Sequence, residues 1–286
     1  MRSLYAVALA LLLPVAAAAG PLTVTPAGTF TSDAAGAEGI TFDRTGRLVI
    51  GTAAGEIRRF EADGSYTVLA NIGDAPAGMI GLRDGRVLVC AYGAERVWAI
   101  SPTGGATVLA SGIPGANFAV ATKSGRIYVS SSTTGKIVEI SGGAPIDVAT
   151  GLNFPNGLAI GPDRQLYVAE LGANQISRLP IDKDGTLGAA QVYATGLTLA
   201  DGIGFDRHGN LIVVGFDTMF VVDRKTGITS TLSTDASLDW PSNLAFGTGH
   251  GFNRRDLFLV NYGLPLGSGT TVVRFTANHG GAKLQR

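Results

Sequence analysis

The sequence predicts an all-β protein folded as a six-bladed β-propeller, with four antiparallel strands in each blade. One pattern occurs six times along the chain: a polar or small residue, a short apolar strand, a turn, and a second apolar strand. The six segments read EGITFDRTGRLVIG, AGMIGLRDGRVLVC, NFAVATKSGRIYVS, NGLAIGPDRQLYVA, DGIGFDRHGNLIVV and NLAFGTGHGFNRRDLFLV. No helical periodicity separates them, and units of roughly 40 residues that contain several short strands are typical of propellers.

The turns of the six hairpins share one register. A glycine stands eight residues after the first residue of five segments, and Arg164 holds that place in the fourth. These glycines are Gly46, Gly85, Gly125, Gly209 and Gly251. Each hairpin is followed by a third strand, such as EIRRFE or RVWAIS, and five are followed by a fourth, such as YTVLA or ATVLA.

The last of the six units is not followed by a fourth strand of its own. Residues 22–30, LTVTPAGTF, can supply it by pairing with TVVRFT in the last unit. Such a closure by the two chain ends leaves no unpaired final edge in the last blade. We therefore expect residues 20–286 to form one propeller domain.

Composition excludes several classes of partner. The chain has 286 residues, and 22 Lys and Arg balance 22 Asp and Glu, so the formal net charge is zero. With 15% charged residues, it offers no basic stripe for a phosphate backbone and no polybasic patch for anionic lipid. We expect no nucleic-acid partner and no membrane partner. The single cysteine, Cys90, lies in the apolar strand RVLVCAY and is expected to be an inert core residue.

Residues 1–19 read as a secretory signal peptide. Arg2 precedes an apolar run from Leu4 to Leu13, and small residues that suit cleavage follow. The run is shorter than the roughly 20 residues that span a membrane, although an uncleaved anchor is the alternative interpretation. We expect an exported protein, periplasmic or extracellular, that is soluble once the peptide is removed.

The residues that open the first strands of the blades should form a ring. First strands line the central channel of a propeller, so their opening residues lie near one mouth. The six positions are Glu38, Ala77, Asn117, Asn156, Asp201 and Asn243. Five of them carry a carboxylate or carboxamide oxygen. Asn and Asp also open strands as turn formers, which is the alternative interpretation, but turn formation does not favour Glu38.

Two carboxylates and several amide oxygens make an oxygen-only site. This chemistry suits one divalent cation, with Ca²⁺ the best candidate, and it disfavours Zn²⁺, which prefers nitrogen and sulfur ligands. His208 and His250 fall in turns on the opposite face, and His279 lies in the tail. We expect all three histidines to be solvated and none to act as a base at this mouth.

Four motifs carry a family resemblance. EGITFD, NFPNGLAIGPD, ADGIGFDRHGNL and PSNLAFG, in this order, resemble the senescence marker protein/gluconolactonase family over nearly the whole mature chain. The resemblance implies a six-bladed propeller with a divalent ion on its axis, often calcium, and hydrolysis of lactones. It also implies that Glu38, Asn156 and Asp201 bind the metal and that Asp201 handles the proton. Asn117 and Asn243 are assigned to substrate binding.

The chain departs from the sugar-lactonase pattern around Asn117. Members that act on sugar lactones tend to carry Arg before and Asp after this asparagine, whereas Ala116 and Phe118 flank it here. A polyhydroxylated lactone should therefore be a poorer substrate. The connections on the ring face bring Tyr92, Leu171, Phe216, Met219 and Tyr262 either to the mouth or between blades.

The resulting hypothesis is metal-dependent hydrolysis of a lactone or similar small cyclic ester. Asp201 would accept a proton from the attacking water, or water held by the cation would react directly, since a cation weakens a bound carboxylate as a base. A noncatalytic NHL-like binding propeller with a structural cation is the alternative, because propellers host many functions. A strictosidine synthase-like or paraoxonase-like propeller fits less well, as the latter relies on histidines near its mouth.

Overall fold

The protein forms six four-stranded sheets arranged as a β-propeller. The computed structural model describes residues 21–282, so the predicted signal peptide, residues 1–19, lies outside the described residues. Within them, the fold class predicted from the sequence is confirmed: each sheet is antiparallel and has four strands. The only helical segments described are two short 3-10 turns, Ser132–Thr134 and Leu171–Ala173.

The strands follow one another from the channel outward in every blade but the last. The N-terminal strand is β1 (Val24–Thr31). Blade 1 contains β2 (Ile40–Phe42), β3 (Leu48–Gly51), β4 (Glu56–Phe60) and β5 (Tyr66–Asn71). Blade 2 contains β6 (Met79–Gly81), β7 (Val87–Ala91), β8 (Arg96–Ile100) and β9 (Ala106–Ser111). Blade 3 contains β10 (Ala116–Ala121), β11 (Ile127–Ser131), β12 (Lys136–Ser141) and β13 (Ala144–Ala149).

The second half of the chain repeats this order. Blade 4 contains β14 (Pro155–Ile160), β15 (Gln165–Glu170), β16 (Gln175–Pro180) and β17 (Gln191–Thr195). Blade 5 contains β18 (Ile203–Phe205), β19 (Leu211–Gly215), β20 (Thr218–Val222) and β21 (Thr229–Ser233). Blade 6 contains β22 (Pro241–Phe246), β23 (Asp256–Asn261) and β24 (Val272–Ala277), and β1 completes it.

The two ends of the described chain close the last blade. Strand β1 pairs antiparallel with β24, from Val24 opposite Ala277 to Thr31 opposite Val272. The closure predicted from the sequence is thus confirmed, and it covers the outer edge of β24, which would otherwise present unpaired backbone groups.

The shared turn register is also present in the backbone. All five turn glycines have positive φ, for example 84° at Gly46, and Arg164 adopts φ of 64° at the equivalent place. A left-handed arginine is uncommon, so its conformation shows that the turn geometry is imposed by the blade rather than by glycine.

Glycines allow neighbouring blades to approach closely around the channel. In four blades a glycine follows the ring residue: Gly39, Gly78, Gly157 and Gly202. A β-carbon on Gly39 would lie 2.1 Å from the carbonyl oxygen of Ala77, and one on Gly157 would lie 2.3 Å from that of Asp201. Because these atoms belong to the backbone of the next blade, the first strands can pack this tightly only where the side chain is absent.

The six blades pack through the apolar side chains of their inner strands. Inner strands such as β7 and β19 are buried along their whole length, whereas outer strands such as β5 and β9 have one buried residue each. Cys90 is fully buried, and burial raises the pKa of its thiol, as expected for an inert core cysteine. Met219 is fully buried in the core cluster of blades 5 and 6, so it packs between blades and does not reach the mouth.

The expectation that all three histidines are solvated is wrong for His279. His250 is exposed and His208 is half-buried, but His279 is only 4% exposed. Its Nε2 lies 3.0 Å from Oδ2 of the buried Asp206, and its ring packs edge-to-face against that of His208. The tail folds back on blade 5 because Gly281 bridges to Asp206, which buries the histidine. All three histidines nevertheless lie away from the ring, as expected. No helix among the described residues is long and apolar enough to cross a membrane.

Candidate active site at the channel mouth

Contacts between successive blades join the six ring positions into a closed circle. Backbone approaches at Gly39 and Gly202 link Glu38 to Ala77 and Asp201 to Asn243. The amide of Gly78 donates to the carbonyl of Asn117 at 2.7 Å, and the amide of Gly157 donates to that of Asp201 at 3.1 Å. The structure thus brings the predicted site residues to one end of the channel, which we call the mouth.

Two serine hydroxyls complete the circle. Ser130 Oγ accepts from the amide of Phe118 at 3.0 Å and donates to the carbonyl of Asn156 at 2.7 Å, which joins blades 3 and 4. Ser242 Oγ donates to the carbonyl of Glu38 at 3.0 Å, which joins blades 6 and 1. The backbone of the ring residues is therefore fixed by neighbouring blades, and their side chains are free for another use.

The polar side chains of the ring are largely without partners. Asn117 and Asn156 are 3% and 4% exposed, yet neither carboxamide makes a side-chain hydrogen bond within residues 21–282. The carboxylate of Glu38 has no hydrogen-bond partner there either. None of these polar atoms is completely sealed from solvent, so they face the channel, where a ligand, an ion or water can supply the partners that the protein does not.

The buried acids outside the ring differ from Glu38 and Asp201, the two acids of the ring. Asp43 accepts from Thr45 and the amide of Arg47 and forms an ion pair with Arg59 at 2.9 Å. Asp206, Glu170 and Asp256 are held in the same way by hydrogen bonds or by a basic side chain. Glu38 has neither a hydrogen-bond donor nor a basic partner among the described residues, and Asp201 has only the indole of Trp240.

This placement raises the pKa values of both carboxyl groups. Burial raises the pKa of Glu38 from 4.5 to about 7, although part of its surface is still exposed. For Asp201, burial first and the charge of Glu38 second raise the pKa well above its usual range. The charge of Glu38 also contributes to raised pKa values of Tyr92 and Tyr262, after burial. One local field therefore connects these four groups.

Trp240 provides the single hydrogen bond to the Asp201 carboxylate in the described chain. Its indole Nε1 donates to Oδ2 at 3.3 Å, which lowers the pKa of Asp201 slightly against the two larger effects. Phe216 packs edge-to-face on Trp240 with ring centroids 5.8 Å apart. The aromatic pair therefore orients one carboxylate oxygen and leaves Oδ1 without a partner.

The donor set agrees with an oxygen-liganded cation. The described residues contain no cluster of three His, Cys, Asp or Glu that could bind a metal, so a site built from those residue types alone is excluded there. The ring instead combines two uncompensated carboxylates with amide oxygens, the ligands preferred by hard cations such as Ca²⁺. Glu38, Asn156 and Asp201 fit the requirement because a divalent charge would offset both carboxylates.

Asn243 differs from the other amides of the ring. It is 2% exposed, and its Oδ1 accepts a hydrogen bond from the amide of Leu244 at 2.8 Å. Its oxygen is thus already used in opening β22. Substrate binding by Asn243 stays a prediction, and the group available for it is the side-chain amide nitrogen, which can donate a hydrogen bond.

Apolar residues dominate the surface around the ring. A cavity of about 190 Å³ lies beside Glu38 and is lined by Pro76, Ala77, Tyr92 and Tyr262 together with small residues. A larger cavity of about 270 Å³ lies on the far face among the turns of blades 1 and 2, where Asp43 and Arg59 already satisfy each other. The mouth cavity adjoins the uncompensated carboxylate of Glu38.

Sequence reasoning missed Phe154, Leu199 and Trp240. Each precedes a ring residue by two or three positions and adopts positive φ, at 52°, 50° and 45°. In blades 1 and 3 the position two residues before the ring is Gly36 or Gly115, also with positive φ. The signal was a large apolar residue where the equivalent loops have glycine, in the strings NFPN and DWPSN.

Comparison with known families agrees with this architecture. The family model described as the SMP-30/Gluconolactonase/LRE-like region matches residues 37–261, which include the whole ring. The chain belongs to this family. A comparison with curated protein sequences gives no match.

Solved structures show that the family fold is shared despite low identity. A gluconolactonase from Xanthomonas campestris is 20% identical with a TM-score of 0.72, covering 91% of this chain and 95% of that one. Regucalcin from Agrobacterium tumefaciens, a calcium-binding protein, is 17% identical with a TM-score of 0.72, covering 92% and 98%. Virginiamycin B lyase from Staphylococcus aureus is 15% identical with a TM-score of 0.63, covering 90% and 99%. At these identities the likeness establishes the fold and no specific reaction.

Proposed function

We propose that this member of the family hydrolyses a lactone or similar cyclic ester at the mouth, using one divalent cation, with Ca²⁺ the best candidate. The observation that carries the proposal is the pair Glu38 and Asp201: the partly buried Glu38 carboxylate has no partner and the buried Asp201 carboxylate has only Trp240, whereas the buried acids outside the ring have several donors or a basic partner. Membership of the family and the gluconolactonase neighbour support the reaction class.

Glu38, Asn156 and Asp201 would hold the cation. When bound, a divalent cation withdraws electron density from an ester carbonyl and stabilises the negative charge that develops on its oxygen. Glu38 has no hydrogen bond in residues 21–282 to compete for its oxygens, and Asn156 offers a free carboxamide oxygen. The similar structure of regucalcin, a calcium-binding protein, supports the choice of metal.

Asp201 would act as the proton acceptor. A water molecule adds to the carbonyl carbon and gives its proton to Asp201, the ring C–O bond breaks, and the leaving oxygen takes that proton to give a hydroxy acid. Trp240 holds Oδ2, so Oδ1 is the oxygen available for proton transfer. Asn117, with its unengaged carboxamide, and Asn243 would orient the substrate.

The decisive experiment combines metal analysis with a lactone assay. Purified protein should contain close to one equivalent of calcium, hydrolyse at least one lactone of a panel, lose this activity with chelator and regain it with added calcium. If calcium binds but no lactone is hydrolysed, the protein is a noncatalytic binding propeller with a structural cation.

We also propose that the protein is exported after removal of residues 1–19. Mass spectrometry of the protein in the periplasm or medium should give a chain that begins near Gly20. An intact Met1 on a membrane-bound species contradicts this proposal.

A further inference from the structure

The connections that surround the mouth carry no positive charge. Among the described residues, the loops that join second to third strands and fourth to first strands on this face contain no Lys, Arg or His. They contain eight acids: Asp33, Glu38, Asp74, Glu95, Asp201, Asp217, Asp235 and Asp239. The loop cations all lie on the opposite face, so the zero net charge conceals two faces of different sign.

The negative charge of these loops acts differently on a neutral substrate and on an anionic product. An uncharged lactone is neither attracted nor repelled by the acidic loops, whereas an anionic substrate would meet repulsion. The basic side chain of Arg96, at the start of β8, is already paired with Asp74 at 3.5 Å. Hydrolysis converts the neutral ester into a carboxylate, which the same loops repel. The mouth therefore favours entry of an uncharged ester and release of an anionic product.

The cavity lies beside Ala77, the one ring position whose side chain has no oxygen. Ala77 contributes a methyl group where the other five positions carry polar side chains. Pro76 and Ala77 form one side of the cavity, and Tyr92 and Tyr262 also line it. Its volume of about 190 Å³ is more than ten times the roughly 10 to 15 Å³ that a cavity needs to hold one water. A substituent of several carbon atoms therefore fits beside the ester.

The apolar lining continues beyond the cavity at a cost in backbone strain, and Phe154 lies beside Tyr92 with ring centroids 6.5 Å apart. Phe154, Leu199 and Trp240 hold left-handed conformations, each of which costs a non-glycine residue on the order of 1 kcal/mol or more. Phe216 is also left-handed, with φ of 51°, and is 37% exposed. Such strain persists where the surrounding structure enforces it and is concentrated at functional sites. Here it occurs in the loops that lead into the ring, where the equivalent loops of blades 1 and 3 have glycine.

A polyhydroxylated ring does not suit this lining. Each hydroxyl that leaves water needs a new hydrogen-bond partner, and an unpaired one costs about 1 to 3 kcal/mol. The cavity offers the phenol groups of Tyr92 and Tyr262 and otherwise alanine, proline and glycine, apart from Glu38.

Given the proposed hydrolysis, on which this step rests, we infer that the substrate is an uncharged cyclic ester with an alkyl or aryl substituent. The ester faces Glu38 and Asp201, and the substituent lies over Ala77 between Tyr92 and Tyr262.

A series of six-membered lactones tests this assignment with calcium-loaded protein. δ-Valerolactone has no substituent, δ-decalactone adds an alkyl chain, and glucono-δ-lactone adds hydroxyl groups. We expect kcat/KM for δ-decalactone to exceed that for δ-valerolactone about tenfold or more, because a few methylene groups in an apolar pocket give this discrimination. Glucono-δ-lactone should be the poorest of the three after subtraction of spontaneous hydrolysis. A γ-butyrolactone that carries a carboxylate should be poorer than γ-butyrolactone itself.

Tyr262→Ser and Tyr92→Ser locate the substituent. Each change should lower the ratio of kcat/KM for δ-decalactone over δ-valerolactone about tenfold, mainly through KM, since apolar contact is lost. Ile228→Ser is the matched control, because Ile228 is an exposed apolar residue, 63% accessible, in a far-face turn. It should leave both rates unchanged, and thermal unfolding of all three variants checks that they fold.

The outcomes separate the two proposals. Hydrolysis of glucono-δ-lactone as fast as that of δ-decalactone, or an unchanged ratio in both tyrosine variants, overturns the substrate class while lactone hydrolysis stands. Failure to hydrolyse any of these lactones overturns the proposed function, and the substrate assignment with it.

Discussion

Cation binding at the mouth should release protons, because the two candidate carboxylates have raised pKa values in the absence of a cation. Glu38 has a pKa of about 7, and the pKa of Asp201 is also well above its usual range. A cation binds the ionised forms, so protons compete with it at acidic and neutral pH. The apparent affinity must therefore weaken as the pH falls.

The size of the effect follows from the Glu38 pKa. With a pKa of about 7, competition by this proton alone weakens calcium binding about tenfold at pH 6 and about a hundredfold at pH 5. Asp201 adds to this loss, so the slope of log affinity against pH should exceed one below pH 7. Asp63, Asp84 and Asp235 do not contribute, because local hydrogen bonds lower their pKa values and keep them ionised.

Calorimetric titration with calcium between pH 5 and 8 measures both quantities. Repeating it at pH 6 in buffers with different ionisation enthalpies counts the protons released per cation. Asp201→Asn removes one titrating group and should reduce that count while leaving the contribution of Glu38. Affinity that changes less than about twofold between pH 5 and 8 refutes the reasoning, since the linked loss expected from Glu38 alone is about a hundredfold.

Three further predictions concern the same ring. Asp201→Asn should lower lactone turnover about 10²- to 10⁴-fold with the propeller still folded, and His208→Ala on the far face should have no effect; the opposite pattern would mean that the wrong mouth was chosen. Chelated protein should lose stability as pH rises between about 4.5 and 7, because Glu38 binds its proton more tightly folded than unfolded; melting temperatures should recover on adding calcium, most at pH 8. Gly157→Ala should destabilise the fold by about 1 to 3 kcal/mol in denaturant unfolding, since its β-carbon would meet the Asp201 carbonyl at 2.3 Å, whereas Gly93→Ala, with open space around it, should be nearly neutral.

The fold could be predicted from the sequence because its repeat is local. Each hairpin lies within a short segment, and the turn glycines with Arg164 mark the same register in every unit. The closure by β1 followed from counting fourth strands rather than from any property of residues 24–31 themselves. Strand alternation and turn chemistry agree at every blade, which is the condition under which sequence reasoning succeeds.

The burial of His279 could not be predicted in the same way. The tail looks like an ordinary polar end, but Asp206 lies 73 residues earlier and holds the histidine ring at 3.0 Å. Trp240 was missed for a related reason, since its contact with Asp201 spans 39 residues and two blades. Neither contact has a local sequence pattern.

Long-range partners also decide which acids are available for function. Read as sequence, EGITFD and ADGIGFD each contain two acids of equal standing, one at the start of the first strand and one at its end. The acids at the strand ends, Asp43 and Asp206, are satisfied by turn amides, by Arg59 from β4 and by His279 from the C-terminal tail. The acids at the strand starts, Glu38 and Asp201, receive no basic side chain, because the mouth-face connections of the described chain contain none. Position in the ring selects a residue as a candidate, and the absence of a local counter-charge distinguishes the acids that we propose as cation ligands from those that are already paired.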